Sequence, residues 1–195
     1  MENLNSFFIN GWHHIVDINA YDHLLFVMTL CAAFKLEQWK QILVIITAFT
    51  IGHSGTLILS ALDIIPANSK LIDMLIPFTI MLTALANIIN YNKHGKFSDT
   101  KLKYSIALVF GLIHGLAFAS NFKFMLFSDS IIMPLLAFNI GIEIGQLFIV
   151  LIFMLCLWIY TQFIRGEHLK WNLFISGAGF GIAATILLNA MNDVQ

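Results

Sequence analysis

The chain has 195 residues, of which 59% are hydrophobic and 11% charged, with a formal net charge of −1. A soluble globular domain runs at about 45–50% apolar and ~25% charged, so this balance excludes one and indicates an integral membrane protein. Ten Lys and Arg against eleven Asp and Glu leave no basic face to neutralise phosphates, which excludes a nucleic-acid partner.

Residues 1–19 carry Trp12-His13-His14 and read as an outer interfacial segment. No Lys or Arg precedes the short apolar core there and no small-residue cleavage site follows it, so no signal peptide is expected. Stretches of about 20 apolar residues mark helices able to cross a ~30 Å hydrocarbon core. Six are expected here, over 20–35, 41–62, 70–91, 102–122, 131–158 and 171–190. The first is continuously apolar only over Leu24–Phe34 and holds Asp22 and His23 in its N-terminal part, so that part is expected to border a cavity. The fold class that follows is all-α: one polytopic membrane helix bundle, residues 1–195, of about six transmembrane helices. Cys31 and Cys156 lie in apolar runs without a CxxC, which argues against a disulfide framework or a thiolate metal site.

Orientation comes from Lys and Arg, which concentrate in cytoplasmic loops. Eight of the ten basic residues fall in the loops after the first, third and fifth spans, and only Lys70 and Lys123 fall on the other side. Both termini are therefore expected outside the cytoplasm.

That orientation gives depths. His23 lies 12 residues before Lys35, His53 lies 13 after Lys40, and His114 lies 11 after Lys103. At ~1.5 Å per residue, all three stand roughly 17–20 Å above the cytoplasmic boundary. Glu143 is 9 residues past Pro134 on the outer side, roughly 14 Å deep by the same rise. A charged or strongly polar group in hydrocarbon costs several kcal/mol unless it faces a partner or a cavity. Helix-to-helix glue is made more cheaply by Ser, Thr and Asn, so four such groups near one level point to a shared polar site. Imidazole and carboxylate are the donors chosen by zinc, nickel and cobalt, and His23, His53, His114 and Glu143, with Asp22 beside them, are the candidate metal ligands. His14 reads either as an entry residue that catches the ion before it descends, or a lid on the cavity, or as a solvated histidine beside an interfacial anchor. Adjacent helical residues point about 100° apart. Asp22 therefore either binds the ion itself, with His23 behind it, or orients a histidine on another helix, as carboxylates behind metal ligands do.

Further features have plainer readings. Asn139, Glu143 and Gln146 form one polar stripe on the fifth span, with Asn139, Gln146 and the more superficial Asp73 as cavity or entry residues. Gly111/Gly115, Gly141/Gly145 and Gly177/Gly181 have G-x-x-x-G spacing, which serves close helix packing. Phe49-xxx-His53 and Phe110-xxx-His114 form a faint repeat. Thr50, Ser54 and Thr56 either offer hydroxyls to a cavity or bond their own backbone. His13 reads as solvated at the interface, and His94 and His168 as solvated in cytoplasmic loops. Trp12, Trp39, Trp158 and Trp171 read as interfacial belts.

Four motifs, in order, resemble the HupE/UreJ family of small membrane proteins over nearly the whole chain. They are GWHHIVDINAYDHLLF, FTIGHSGTL, FGLIHGLAFA and FNIGIEIGQL. The resemblance implies that His14, Asp22, His23, His53, His114 and Glu143 occupy the matching motif positions. Two positions depart: the spacing from His14 to Asp22 is longer than in many members, and Asp73 stands where others have Glu. Members are regarded as nickel or cobalt permeases, which implies a protein of the bacterial inner membrane.

The expected function is a permease for a divalent transition metal (nickel, cobalt or zinc), with lipid and the ion as partners and a homo-oligomer left open. The alternative is an intramembrane zinc-dependent hydrolase using the same residues. In that case zinc would lower the pKa of a bound water and Glu143 or Asp22 would be the general base. A third reading is an assembly subunit whose polar residues only hold helices together.

Overall fold

The computed structural model describes residues 4–18, 21–65, 69–94, 100–125 and 131–192. Among these residues there are seven α-helices and no strand: α1 Leu4–Val16, α2 Tyr21–Ala32, α3 Trp39–Ala61, α4 Ser69–His94, α5 Thr100–Met125, α6 Ile132–Gln162 and α7 His168–Asn192. A short 3-10 turn, Leu36–Gln38, leads into α3. The all-α expectation therefore holds. Four helices, over Leu36–Ala61, Leu71–Ile89, Ile132–Gln162 and His168–Asn192, are long and apolar enough to cross a membrane. Asp22–Ala32 and Lys103–Ala119 are shorter apolar helices.

The segment read as interfacial forms a helix of its own. In α1, Leu4, Phe7, Phe8, Gly11 and Ile15 recur at helical spacing, and Phe7, Gly11 and Ile15 are buried. The first expected span is helical only over the 12 residues of α2, about 18 Å at 1.5 Å per residue, too short to cross hydrocarbon alone.

Glycines set the packing, because a missing side chain lets two backbones approach closely. A Cβ on Gly52 would overlap the Leu108 carbonyl oxygen, and one on Gly111 would overlap that of Phe49. A Cβ on Gly115 would overlap the Thr56 hydroxyl and the His53 carbonyl. These contacts press α3 against α5. In the same way Gly11 sits on the Phe138 carbonyl and Gly141 on that of Phe8, while a Cβ on Gly145 would lie 3.2 Å from Ile15. α1 is thereby seated along α6, and both run in the same direction. The third G-x-x-x-G differs: nothing lies within 4 Å of a Cβ built on Gly177 or Gly181, and both positions are exposed.

α4 and α7 are joined by amides instead. Asn87 Nδ2 donates to the Thr29 carbonyl of α2 at 2.7 Å and to Ser176 Oγ at 3.2 Å. Asn172 Nδ2 donates to the Asn87 carbonyl at 3.2 Å, and Ser176 Oγ to Asn172 Oδ1 at 3.1 Å. In hydrocarbon such groups must be paired inside the protein. The bundle is thus three packing units: α1 with α6, α3 with α5, and α4 with α7 and α2.

Candidate metal centre

Each of the three units brings at least one imidazole to a common point. His14 comes from the last turn of α1, His23 from the first turn of α2, His53 from α3 and His114 from α5. Ring centroids lie 4.5 Å apart for His14 and His23, 5.6 Å for His14 and His53, 6.2 Å for His23 and His53, and 5.5 Å for His23 and His114. Nine residues of unbroken helix would put His14 and His23 about 13.5 Å apart along the axis. The interruption between α1 and α2 is what lets them meet.

One nitrogen from each of His14, His23 and His53 can be chosen so that all lie within 4.8 Å of one another. A zinc–imidazole bond is about 2.0–2.1 Å, so two nitrogens on one ion are at most ~4.2 Å apart. Closing the site on an ion therefore asks for less than an ångström per ligand.

The hydrogen bonds fix how two of these rings are presented. The Phe110 carbonyl, which can only accept, lies 2.8 Å from His114 Nδ1. The proton is on Nδ1, and the Nε2 lone pair is free. Asp22 Oδ1, 3.2 Å from His23 Nδ1, does the same for His23. Asp22 thus orients the histidine of its own helix, where the sequence suggested one on another helix. The phenylalanines close the site from the sides: Phe118 is 4.1 Å from His14, and Phe26 and Phe49 are 5.0 and 5.2 Å from His114 between ring centroids.

The remaining nitrogens carry the chemistry. Among the described residues, His14 Nε2, His23 Nε2, His114 Nε2 and both ring nitrogens of His53 are buried without a hydrogen-bond partner. An unsatisfied buried polar atom costs roughly 1–3 kcal/mol. One of the two His53 nitrogens carries that ring's proton, so the four rings offer at most one lone pair each, and four in one place suit a ligand that accepts several lone pairs at once. The donor set, neutral imidazole only, fits a borderline divalent metal such as nickel, cobalt or zinc.

The other candidates are placed as follows. Glu143 stands outside the three-histidine group, half-buried between α6 and α3, where its Oε1 accepts from Thr47 Oγ1 at 2.9 Å. Gln146, one turn along, is buried and accepts from Thr50 Oγ1 at 2.9 Å. Asn139 is half-buried with its Oδ1 unpartnered among the described residues. Asp73 is exposed on α4, and His13 is exposed on α1. Ser54 and Thr56 bond their own helix backbone, at the carbonyls of Thr50 and His53. The side chain of His94 lies outside the described residues.

His168 departs from the solvated loop expected of it. It opens α7, is half-buried, and its Nε2 lies 2.9 Å from the Phe34 carbonyl beyond the end of α2. Sequence reasoning also passed over Thr47 and the phenylalanine walls. The Phe49-xxx-His53 and Phe110-xxx-His114 repeat was the available signal for the walls, since each phenylalanine stands one turn before its histidine.

Asp22→Asn should weaken metal binding about 10- to 100-fold, the usual effect of losing the group that orients a ligating histidine. Titration of the purified variant with Ni²⁺ checks this, and an unchanged affinity would show that His23 is held by other means.

A family model described as HupE / UreJ protein matches residues 1–193. Comparisons with curated proteins and with solved structures found no match.

Proposed function

The chain belongs to the HupE/UreJ family, and from that premise we propose that it is a permease carrying a divalent transition metal, of the nickel, cobalt and zinc class, across a bacterial inner membrane. The observation that carries the proposal is the set of five buried imidazole nitrogens without partners, contributed by three separately packed helix units. Helices held together by histidine alone would pair those nitrogens with one another or with neighbouring groups.

His14, His23, His53 and His114 replace the ion's water shell, with Asp22 holding His23 in register. Because no single unit owns the site, an ion cross-links α1/α6, α3/α5 and α2/α4/α7. Small relative movement of the units parts the ligands and frees the ion. Broken helices that meet at a substrate site are a recurring device in transporters, and the interruption between α1 and α2 has that character. The positive-inside distribution of Lys and Arg puts the N-terminal end of α6 on the outer side. α1 runs parallel to α6, so His14 stands at the inner end of a helix that starts outside. The ion then enters from the outside and leaves toward the basic loops.

The hydrolase alternative needs a carboxylate free to activate water at the metal. Asp22 is engaged by His23 and Glu143 by Thr47, which favours transport. Proteoliposomes holding the purified chain and a metal-sensitive dye test the proposal. Addition of Ni²⁺, Co²⁺ or Zn²⁺ outside should raise the lumenal signal well above that of empty vesicles. Signals equal to the empty control for all three metals would refute transport.

A further inference from the structure

We infer that the phenylalanines around the histidine cluster make it a four-coordinate site, one that takes Co²⁺ and Zn²⁺ in preference to Ni²⁺. The inference rests on the metal-carrying reading above and narrows it to ions that accept four nitrogens and no water.

The donor count comes first. His14, His23, His53 and His114 offer one lone pair each. The carboxylates have other work: Asp22 Oδ1 lies against His23 Nδ1, and Glu143 Oε1 takes the Thr47 hydroxyl. An ion that wants six ligands must therefore bring two waters with it. A buried water needs about two to four polar partners of its own, and the walls here are aromatic carbon. Phe26 and Phe49 flank the His114 ring at 5.0 and 5.2 Å, and Phe49 also stands 6.2 Å from His53 between ring centroids.

Of the four histidines, His14 alone is half-buried, so it marks the open side of the cluster. Two phenylalanines from different helices close that side. Phe118 of α5 lies 4.1 Å from the His14 ring and Phe138 of α6 lies 5.9 Å from it. These two are stacked on each other, 5.0 Å apart and 8° from parallel. They face the ion's approach with ring carbon, and an ion settling among the imidazoles leaves its water behind. An apolar shell of this kind controls solvent access to a metal site.

Coordination number then decides between metals. Zn²⁺ has no geometric preference from its d electrons and sits readily in a tetrahedron. Co²⁺ accepts the same geometry at small cost, whereas Ni²⁺ favours tetragonal or octahedral surroundings. A site that imposes no geometry binds Ni²⁺ more tightly than Co²⁺, following the Irving–Williams order. By denying the extra ligands, the phenylalanine wall reverses that order.

Titration of the tag-free chain in detergent with Co²⁺, followed by competition with Ni²⁺ or Zn²⁺, tests this. Four-coordinate Co²⁺ absorbs intensely in the visible because a tetrahedron has no inversion centre; the six-coordinate ion is pale. The expected result is the intense spectrum, lost to Zn²⁺ at parity but to Ni²⁺ only at roughly tenfold or greater excess. A pale spectrum, or displacement by Ni²⁺ at equal concentration, would overturn the inference. Binding of none of the three metals would mean that the metal reading itself has failed. Phe118→Ala opens the wall to water, so its Co²⁺ bands should fade and Ni²⁺ should compete at near parity, while Phe118→Leu, still apolar and bulky, should keep the natural spectrum. A folded Phe118→Ala chain with unchanged bands and order would also overturn the inference. The spectrum and metal order of the natural chain decide the matter if that variant does not fold.

Discussion

Replacing His53 and His114 together by leucine should abolish stabilisation by nickel, cobalt or zinc, while the melting temperature without metal stays level or rises. Both histidines are 0% exposed, and three of their ring nitrogens are unpartnered among the described residues. Apolar side chains of similar size remove that standing cost, whereas losing ligands removes the reward for binding. At a free metal concentration of 100 times Kd, the natural chain gains about 2.7 kcal/mol. For a chain of this length that is roughly 5–10 °C in Tm. Thermal unfolding in detergent, with and without 1:1 up to excess metal, reads both quantities. A double variant that falls apart equally with and without metal would instead mark the histidines as structural glue.

Gly111→Ala should destabilise the chain by about 2 kcal/mol, roughly 4–8 °C in Tm. Alanine is the better helix former by ~1 kcal/mol, yet a Cβ at this position overlaps the Phe49 carbonyl oxygen. Backbone does not yield as a side-chain tip does, so α3 and α5 must separate. His53 and His114 then part as well, and metal stabilisation falls along with stability. Gly177→Ala/Gly181→Ala is the control: the same change on α7 meets nothing within 4 Å and should be neutral or slightly stabilising. If both variants lose stability alike, helix conformation rather than inter-helix approach is what these glycines serve.

The contrast between His53 and Glu143 shows how far the sequence could be read. Hydropathy found the long helices, and the ~1.5 Å rise per residue placed three histidines at one level, where they do meet. Level is only one coordinate. Each residue also turns 100° about its helix, and the polar stripe Asn139, Glu143 and Gln146 marks one face of α6 without saying which neighbouring helix that face meets. Glu143 therefore shared a depth with the histidines in the sequence but lies on a seam in the structure. The α1 helix was passed over for another reason. Its 13 residues are too few for a span, and Asn5, Ser6, Asn10, His13 and His14 dilute its hydropathy. The stripe Leu4, Phe7, Phe8, Gly11, Ile15 would have revealed it to a search for period rather than for length. His168 looked like one charged-loop residue among several, because its bond to Phe34 spans 134 positions and nothing local announces it.

The seat of α1 also orders events in time. α1 and α2, of 13 and 12 residues, are each too short to hold a transmembrane position alone, and α1 leans on Gly141 and Gly145 of α6. A ribosome makes α6 more than a hundred residues after α1. Until then the seat of α1 is absent, and His14 lacks the Phe138 ring that it meets on α6. The last-formed contacts of the fold therefore seat a helix made more than a hundred residues earlier.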